Sequence, residues 1–178
     1  QMFKAFLIKY AEIGLKGKNR FLFENALRDR IQEALNPLGN FAVSREQGRI
    51  FVECPEDYDY EETVEAVQKV FGISSICPVV VLDSSDWDDL TRGVGDYVEA
   101  SYPDRRITFK VEAKRADKNY PRTSPEICAD MGAYLLKRFP EMKVDVHEPD
   151  VKFTVEVRTK SYVYSINLPG LGGMPVGT

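Results

Sequence analysis

Histidine, cysteine and long apolar segments are scarce in this sequence of 178 residues. Its three cysteines, Cys54, Cys77 and Cys128, form no CxxC pair and are odd in number, which predicts reduced, buried thiols rather than a disulfide framework. His147 is the only residue that could serve a Ser-His-Asp triad or a histidine-rich metal site, and its surroundings, Asp145-Val-His-Glu-Pro, are typical of a turn. Apolar runs are too short for a membrane helix. We therefore expect a cytoplasmic protein with no metal site and no membrane contact.

Catalytic motifs are missing as well. The sequence contains no GxxxxGK phosphate loop, no SGG-type pyrophosphatase loop and no GxSxG elbow. Gly170, Gly172 and Gly173 follow a predicted strand, but no predicted helix follows them, so they do not fit a phosphate cradle. The many carboxylates fit a solvated acidic surface better than an acid–base pair. We predict that these residues include no catalytic group.

Charge is present but unevenly distributed. Residues 1–30 hold seven basic and three acidic residues, and residues 104–138 hold nine and five, so each segment carries a net +4. The remaining residues carry −12, which gives the whole chain its net charge of −4. An acidic total argues against a nucleic-acid partner, whereas two basic segments favour one. Composition alone leaves open the alternative that these charges only keep the protein soluble.

The first 82 residues predict the order β-α-β-β-α-β, a ferredoxin-like unit. Residues 2–10 favour a strand, and Asn19 is placed to cap a helix that reaches Leu35. The apolar residues of this helix follow the spacing of one helical face; they are Phe23, Ala26, Leu27, Ile31, Ala34 and Leu35. A hairpin turn is predicted at Gln47-Gly48, then a helix from Asp59 to Phe71, then a strand from Ile73 to Leu82 broken by Pro78.

The rest of the chain predicts a second, smaller α/β layer, so the fold class is α/β (α+β) with two domains. Ser84 or Ser85 is expected to cap one helix and Ser124 another, with a strand at 106–113 between them. Further strands are predicted at 144–146, 151–158 and 161–167. The last ten residues, PGLGGMPVGT, are typical of a linker. The predicted boundaries are 1–82, 83–168 and a linker at 169–178.

Two groups of basic residues are the candidates for a binding site. The first group lies on a strand and the loop after it: Lys110, Lys114, Arg115, Lys118 and Arg122. An aromatic residue, Tyr120, lies on the same loop. The second group lies before and in the first turn of the first helix: Lys16, Lys18 and Arg20. A basic strand and loop with an aromatic residue favours nucleic acid, and cations at a helix start favour a phosphate. In each case a solvated, solubilising surface is the alternative.

The same segments carry a family resemblance. EIGLKGKNR at Glu12–Arg20, GRIFVE at Gly48–Glu53 and FKVEAKRADKNYPRTSPEI at Phe109–Ile127 resemble the N-terminal half of bacterial and archaeal tRNA 4-thiouridine synthetases. PGLGGMPVGT at 169–178 resembles the linker that precedes their ATP-pyrophosphatase domain. In that family a ferredoxin-like domain precedes a THUMP domain, which agrees with the division read from the residues.

The resemblance implies a tRNA-binding part of a sulfurtransferase that uses ATP and persulfide sulfur to make 4-thiouridine in tRNA. It implies that the two domains hold the acceptor stem and the 3′ end, with the eight basic residues named above as RNA-binding candidates. For the parent enzyme it implies ATP and Mg as cofactors, a cysteine desulfurase as sulfur donor, a homodimer, and in bacteria a supply of sulfur to thiamin synthesis. This chain itself is expected to hold no cofactor, since its sequence lacks the pyrophosphatase loop and the catalytic cysteine.

Two alternatives remain open at the level of sequence. One is a stand-alone protein-interaction module, since ferredoxin-like units often pair through their sheets and no catalytic group is present. The other is the THUMP part of an RNA methyltransferase or a pseudouridine synthase, which the RADKNYP segment and the linker argue against. The codons after Thr178 would separate these readings.

Overall fold

The computed structural model describes residues 1–10, 17–46 and 48–171. Contacts divide the chain into two compact units. One consists of Gln1–Val79 together with a segment that begins at Ile166, and the other is Val80–Ser165. Each unit combines β-strands with two α-helices, which confirms the mixed α/β class.

The first unit has the predicted β-α-β-β-α-β order. Its elements are β1 (Ala5–Tyr10), α1 (Gly17–Leu35), β2 (Ala42–Glu46), β3 (Arg49–Glu53), α2 (Tyr60–Gln68) and β4 (Ile73–Leu82). The strands lie in the order β2-β3-β1-β4, and every neighbouring pair is antiparallel. β4 runs through Pro78, which pairs with Phe6 of β1, so the predicted break is wrong. Its later residues, Val80–Leu82, pair in the second unit.

The core of the first unit lies between one face of the sheet and the two helices. Leu27, Ile31 and Leu35 are fully buried at every fourth position of α1, as one helical face requires. They pack with Phe6 and Ile8 of β1, which are also buried. Burying a side chain of this size contributes about 1.5–3 kcal/mol, so these residues hold α1 on the sheet. Of the six apolar residues of α1 that were predicted to face the core, Ala26 alone is exposed.

Three helix starts differ from the prediction. α3 (Trp87–Ser101), in the second unit, has Asp86 at its N-cap position rather than Ser84 or Ser85. α1 begins at Gly17, so Asn19 is inside the helix and does not cap it. Gly17 has a φ of +55°, a conformation that favours glycine, and this lets the chain enter the helix three residues early. α4 (Ser124–Arg138), in the second unit, is capped by Thr123 rather than by Ser124. The cap at α2 is confirmed, since the Asp59 carboxylate accepts from the Glu62 N–H at 2.9 Å.

The second unit adds α3 (Trp87–Ser101), β5 (Thr108–Arg115), α4, β6 (Lys143–Val144), β7 (Val151–Val157) and β8 (Ser161–Tyr164). Its strands lie in the order β4-β8-β7-β5-β6; β5 is parallel to β6 and β7, and the other pairs are antiparallel. Its buried residues come from both helices and from the facing side of the sheet; they include Leu90, Val94, Ile127, Met131, Phe109 and Phe153.

The chain returns to the first unit after β8. A short strand, β9 (Leu168–Pro169), pairs with Ser75 and Ile76 of β4. Gly170 N–H then donates to the Ser74 carbonyl at 3.1 Å, and Leu171 N–H donates to the Gln68 carbonyl at 2.8 Å. The start of the predicted 169–178 linker is thus hydrogen-bonded to the first unit, while residues 172–178 lie outside the described residues.

Candidate nucleic-acid interface

The predicted basic strand is β5, and its side chains alternate between two faces. Phe109 faces the buried core, whereas Lys110, Glu112 and Lys114 occupy the alternate positions. The parallel partner β7 continues this polar face, because Lys110 lies beside Lys152 in the register. The Lys152 ammonium is 3.2 Å from a Glu112 carboxylate oxygen, so one charge of the face is paired internally.

Arg115 ends β5 and holds the loop that follows it. Its Nη1 donates to the carbonyl of Lys118 at 2.9 Å and to the carbonyl of Tyr120 at 3.4 Å. The Tyr120 hydroxyl donates to the Ser85 carbonyl at 2.6 Å, which ties the loop to the segment before α3. Ala116 N–H donates to the Val157 carbonyl at 2.9 Å. The loop is therefore fixed in place by its own arginine and tyrosine.

Arg122 closes the same loop against α3 and α4. Its Nε donates to the Asp130 carboxylate at 3.1 Å, and its guanidinium carbon lies 3.8 Å from the centre of the Trp87 ring. Trp87 is the single tryptophan of the sequence. An arginine stacked on an indole and paired with a carboxylate has a structural role in the position of the loop.

The lysines of the group have different surroundings. Lys114 and Lys118 are exposed, and Lys110 is half-buried. Within the described ranges, no carboxylate lies in salt-bridge distance of these three ammonium groups. They are the charges of this surface that remain available to a phosphate. We refer to Lys110, Lys114 and Lys118 as the lysine row.

The second predicted group lies in the first unit. Lys16 is outside the described residues, while Lys18 and Arg20 are exposed in the first turn of α1, a turn without acidic residues. Arg20 Nε donates to the Tyr10 hydroxyl at 3.3 Å and lies 4.0 Å from a carboxylate oxygen of Glu24.

Glu24 and Arg45 belong to this arrangement and were missed from the sequence. Arg45 Nη1 donates to Glu24 at 3.3 Å, and the Tyr10 hydroxyl donates to Glu24 at 2.7 Å. Burial, followed by the hydrogen bond to Glu24, raises the pKa of the Tyr10 phenol, which keeps its proton on the donor. One signal was present: Glu24 is three residues before Leu27, on the apolar stripe of α1, and a carboxylate there requires a cationic partner.

The cysteines are buried or half-buried, whereas the histidine is exposed. No disulfide joins the three cysteines. Burial raises the pKa of Cys54 to about 12, and the Cys77 thiol donates to the Asn167 side chain at 3.0 Å. His147 is exposed in a turn, where the backbone N–H groups of His147 and Glu148 both donate to the Asp145 carboxylate. In the described part of the chain, no group of three or more His, Cys, Asp or Glu residues is arranged to hold a metal, and no helix is long and apolar enough to cross a membrane.

Known proteins match both units. Residues 5–77 match the ThiI ferredoxin-like domain, and residues 84–166 match the THUMP domain. A relative from Lachnoclostridium phytofermentans, named "Probable tRNA sulfurtransferase", is 68% identical over 177 residues, which are 99% of this chain and 45% of that protein. The chain thus spans about half the length of the curated relatives it matches.

Two solved structures are similar over 98% of this chain. One is a 4-thiouridine synthetase in complex with RNA and bound ATP, with 33% identity, a TM-score of 0.77 and 44% of that protein covered. The other is PH1313 from Pyrococcus horikoshii, with 29% identity, a TM-score of 0.78 and 57% covered. The resemblance drawn from the RADKNYP segment is confirmed. The chain belongs to the tRNA sulfurtransferase family and comprises its ThiI ferredoxin-like and THUMP domains.

Proposed function

We propose that this chain is the tRNA-binding part of a tRNA sulfurtransferase, and that the lysine row is one of its contacts with the RNA backbone. The observation that carries the proposal is a contrast within the basic group of β5 and the loop after it. Arg115 and Arg122 are held by carbonyl and carboxylate oxygens, whereas among the described residues no carboxylate lies in salt-bridge distance of the three lysines. The solved 4-thiouridine synthetase in complex with RNA supports RNA as the ligand.

The chemistry of the surface suits a folded RNA. A tRNA arm is recognised through its shape, its phosphates and its 2′-hydroxyls, and lysines on a fixed surface meet those requirements without reading bases. We propose that the ligand is the acceptor stem with its single-stranded 3′ end. The acidic remainder of the chain disfavours contact elsewhere, so it helps to direct RNA to the basic segments.

The proposal is tested by the salt dependence of tRNA binding to this chain. Replacing Lys110, Lys114 and Lys118 together by Gln should weaken binding and lower the slope of log affinity against log salt by about 0.7–0.9 for each phosphate that the protein no longer neutralises. A charge-matched control replaces Lys4, Lys69 and Lys137, which are outside the predicted sites. Equal effects of the two triple variants would contradict the site, and absence of tRNA binding by the unaltered chain would contradict the function.

We extend the proposal to the whole protein of which such a chain is a part. That protein would make 4-thiouridine with ATP, Mg and persulfide sulfur from a cysteine desulfurase, as a homodimer, and would also supply sulfur for thiamin synthesis. A strain that lacks the gene tests this extension. Its tRNA should contain no 4-thiouridine by mass spectrometry, the full gene but not the 178-residue chain should restore it, and growth without thiamin reports on the second role.

A further inference from the structure

A buried carboxylate in the first unit connects two arginines. Glu24 is 3% exposed, although it lies near the start of α1, and its partners are the Tyr10 hydroxyl, Arg45 and Arg20. A buried ion pair is often no more stabilising than apolar residues of the same volume. Stability alone therefore does not explain an acidic residue on the apolar stripe of α1.

The two arginines come from different elements and reach the surface together. Arg20 lies in the first turn of α1 and Arg45 lies on β2, yet both approach the same carboxylate. Their side chains remain 46% and 31% exposed, whereas that of Glu24 is 4% exposed. Both guanidinium side chains are therefore more exposed than the carboxylate that they share.

The hairpin between β2 and β3 leaves room for this arrangement. Gly48 has a φ of +76°, and an added Cβ there would meet Nη2 of Arg20 at 3.1 Å. Glycine at position 48 therefore has two effects: it adopts the positive φ of the turn, and it leaves space for the Arg20 side chain. Arg45 also covers the half-exposed ring of Phe21, with its guanidinium carbon 4.4 Å from the ring centre. Both arginines are held in place before any ligand arrives.

We propose that Arg20 and Arg45 form one binding site for a phosphate of an RNA backbone, and that Glu24 is the positioning residue of that site. This inference rests on the proposed function and adds a site in the first unit to the lysine row of the second. A guanidinium has five N–H donors in a planar fork that suits a phosphate, and the side chains of Arg20 and Arg45 are both partly exposed. Because Glu24 already restricts the arginines, less conformational entropy is lost on binding.

The direction in which Glu24→Gln changes the affinity for tRNA separates this proposal from a purely electrostatic effect. Glu24→Gln removes a negative charge from a surface that binds a polyanion, so charge alone predicts tighter binding. If Glu24 positions the arginines, the same change weakens binding, because Gln does not hold two guanidiniums. The matched control is Glu33→Gln, an exposed residue of the same helix with the same change in charge.

The measurement is the affinity of the 178-residue chain for a fluorescein-labelled, unmodified tRNA transcript, by anisotropy at several salt concentrations. We expect Glu24→Gln to bind about threefold more weakly, with a salt slope lower by about 0.7–0.9, as when one phosphate is no longer neutralised. Glu33→Gln should bind as tightly as the unaltered chain or more tightly. Binding by Glu24→Gln that equals or exceeds that of Glu33→Gln would overturn the proposal.

A second variant keeps the test valid if Glu24→Gln does not fold. Tyr10→Phe leaves every charge in place and removes the hydroxyl that contacts both Glu24 and Arg20. It should weaken tRNA binding relative to the unaltered chain, and unchanged binding would again overturn the proposal. Failure of the unaltered chain to bind tRNA would instead contradict the proposed function, so the two failures are distinguishable.

Discussion

At the residue scale, Arg115 and Arg122 differ from Lys114 and Lys118 in what surrounds their charged groups. The arginines donate to carbonyl or carboxylate oxygens of the protein and, at Arg122, stack on Trp87. The lysines extend from the surface. The planar, always charged guanidinium of arginine suits fixed contacts within the protein. The lysine ammonium, on its flexible stem, suits contacts with ligand phosphates whose positions vary. A basic loop can therefore contain structural and ligand-binding cations side by side.

Arg122→Gln tests this division. We expect a decrease of about 0.5–1 kcal/mol in the free energy of unfolding, since the stacked contact with Trp87 is partly exposed. The fluorescence of Trp87, the single tryptophan, should change in the native state as well. Urea titration followed by fluorescence measures both quantities.

Arg106→Gln is the control for this prediction, because Arg106 is exposed and pairs with the exposed Asp104. Its effect should lie within about 0.5 kcal/mol of zero. If Arg122→Gln left stability and fluorescence unchanged but weakened tRNA binding, Arg122 would be a ligand contact and not a loop contact.

The sequence predicted the lysine row but not the arginine pair of the first unit, for a physical reason. Lys110 and Lys114 belong to one strand, and local alternation is enough to place them on one face. Arg20 and Arg45 are 25 positions apart and meet only because β2 packs beside α1, which depends on long-range contacts. The contact of Arg122 with Trp87 depends on tertiary packing in the same way.

At the scale of elements, α4 begins with a reciprocal cap. Thr123 Oγ1 accepts from the Glu126 N–H at 3.3 Å, and the Glu126 side chain accepts from the Thr123 N–H at 3.1 Å. This capping box satisfies two N–H groups at the helix start. The cap directly follows Arg122, so it also fixes the end of the basic loop.

Thr123→Ala should lower the free energy of unfolding by about 1 kcal/mol, within a range of 0.5–2 kcal/mol. The reason is that the substitution leaves a helix N–H without its acceptor. Thr159→Ala, in the exposed turn between β7 and β8, is the matched control and should have almost no effect. Equal midpoints of urea unfolding for the two variants would refute a stabilising role for this cap.

The order of elements was predictable because hydrophobic period and turn residues are local signals, whereas their exact ends were not. Asp59 was recognised as a cap since its carboxylate precedes Glu62 by three residues. Ser124 was preferred to Thr123 because both are good caps and adjacent in sequence. Only the backbone conformation distinguishes them, with Thr123 extended at a ψ of 165°.

At the scale of the whole molecule, several thiols and phenols that are buried or half-buried have raised pKa values. Burial raises the pKa of Cys54 and of Tyr97 to about 12 each, and it also raises the pKa of Tyr120 and Cys128. The native state thus retains protons that the unfolded chain releases at lower pH. The two states bind equal numbers of these protons below about pH 7.5, roughly one unit under the pKa of about 8.5 of an unperturbed thiol.

We therefore expect the free energy of unfolding to fall as pH rises from about 9 towards 12, because the unfolded state then binds fewer protons than the native state. Urea titrations at about pH 7.5, 9 and 10.5 measure this dependence. Tyr97→Phe should make the decrease less steep, since it removes one of the groups. A free energy of unfolding that stayed constant over this range would show that burial does not hold these protons.

The short strand β9 has a consequence for how the protein is made. Residues 168 and 169 pair with β4, whose paired residues are Ser75 and Ile76, so this contact spans more than 90 residues of chain. At synthesis rates of about 5–20 residues per second, the ribosome needs roughly 5–20 s to produce that interval. During this time the edge of β4 at Ser75 and Ile76 lacks its last partner, and an unpaired edge is open to association with other chains. The return of the chain to β4 after β8 ends that period of exposure.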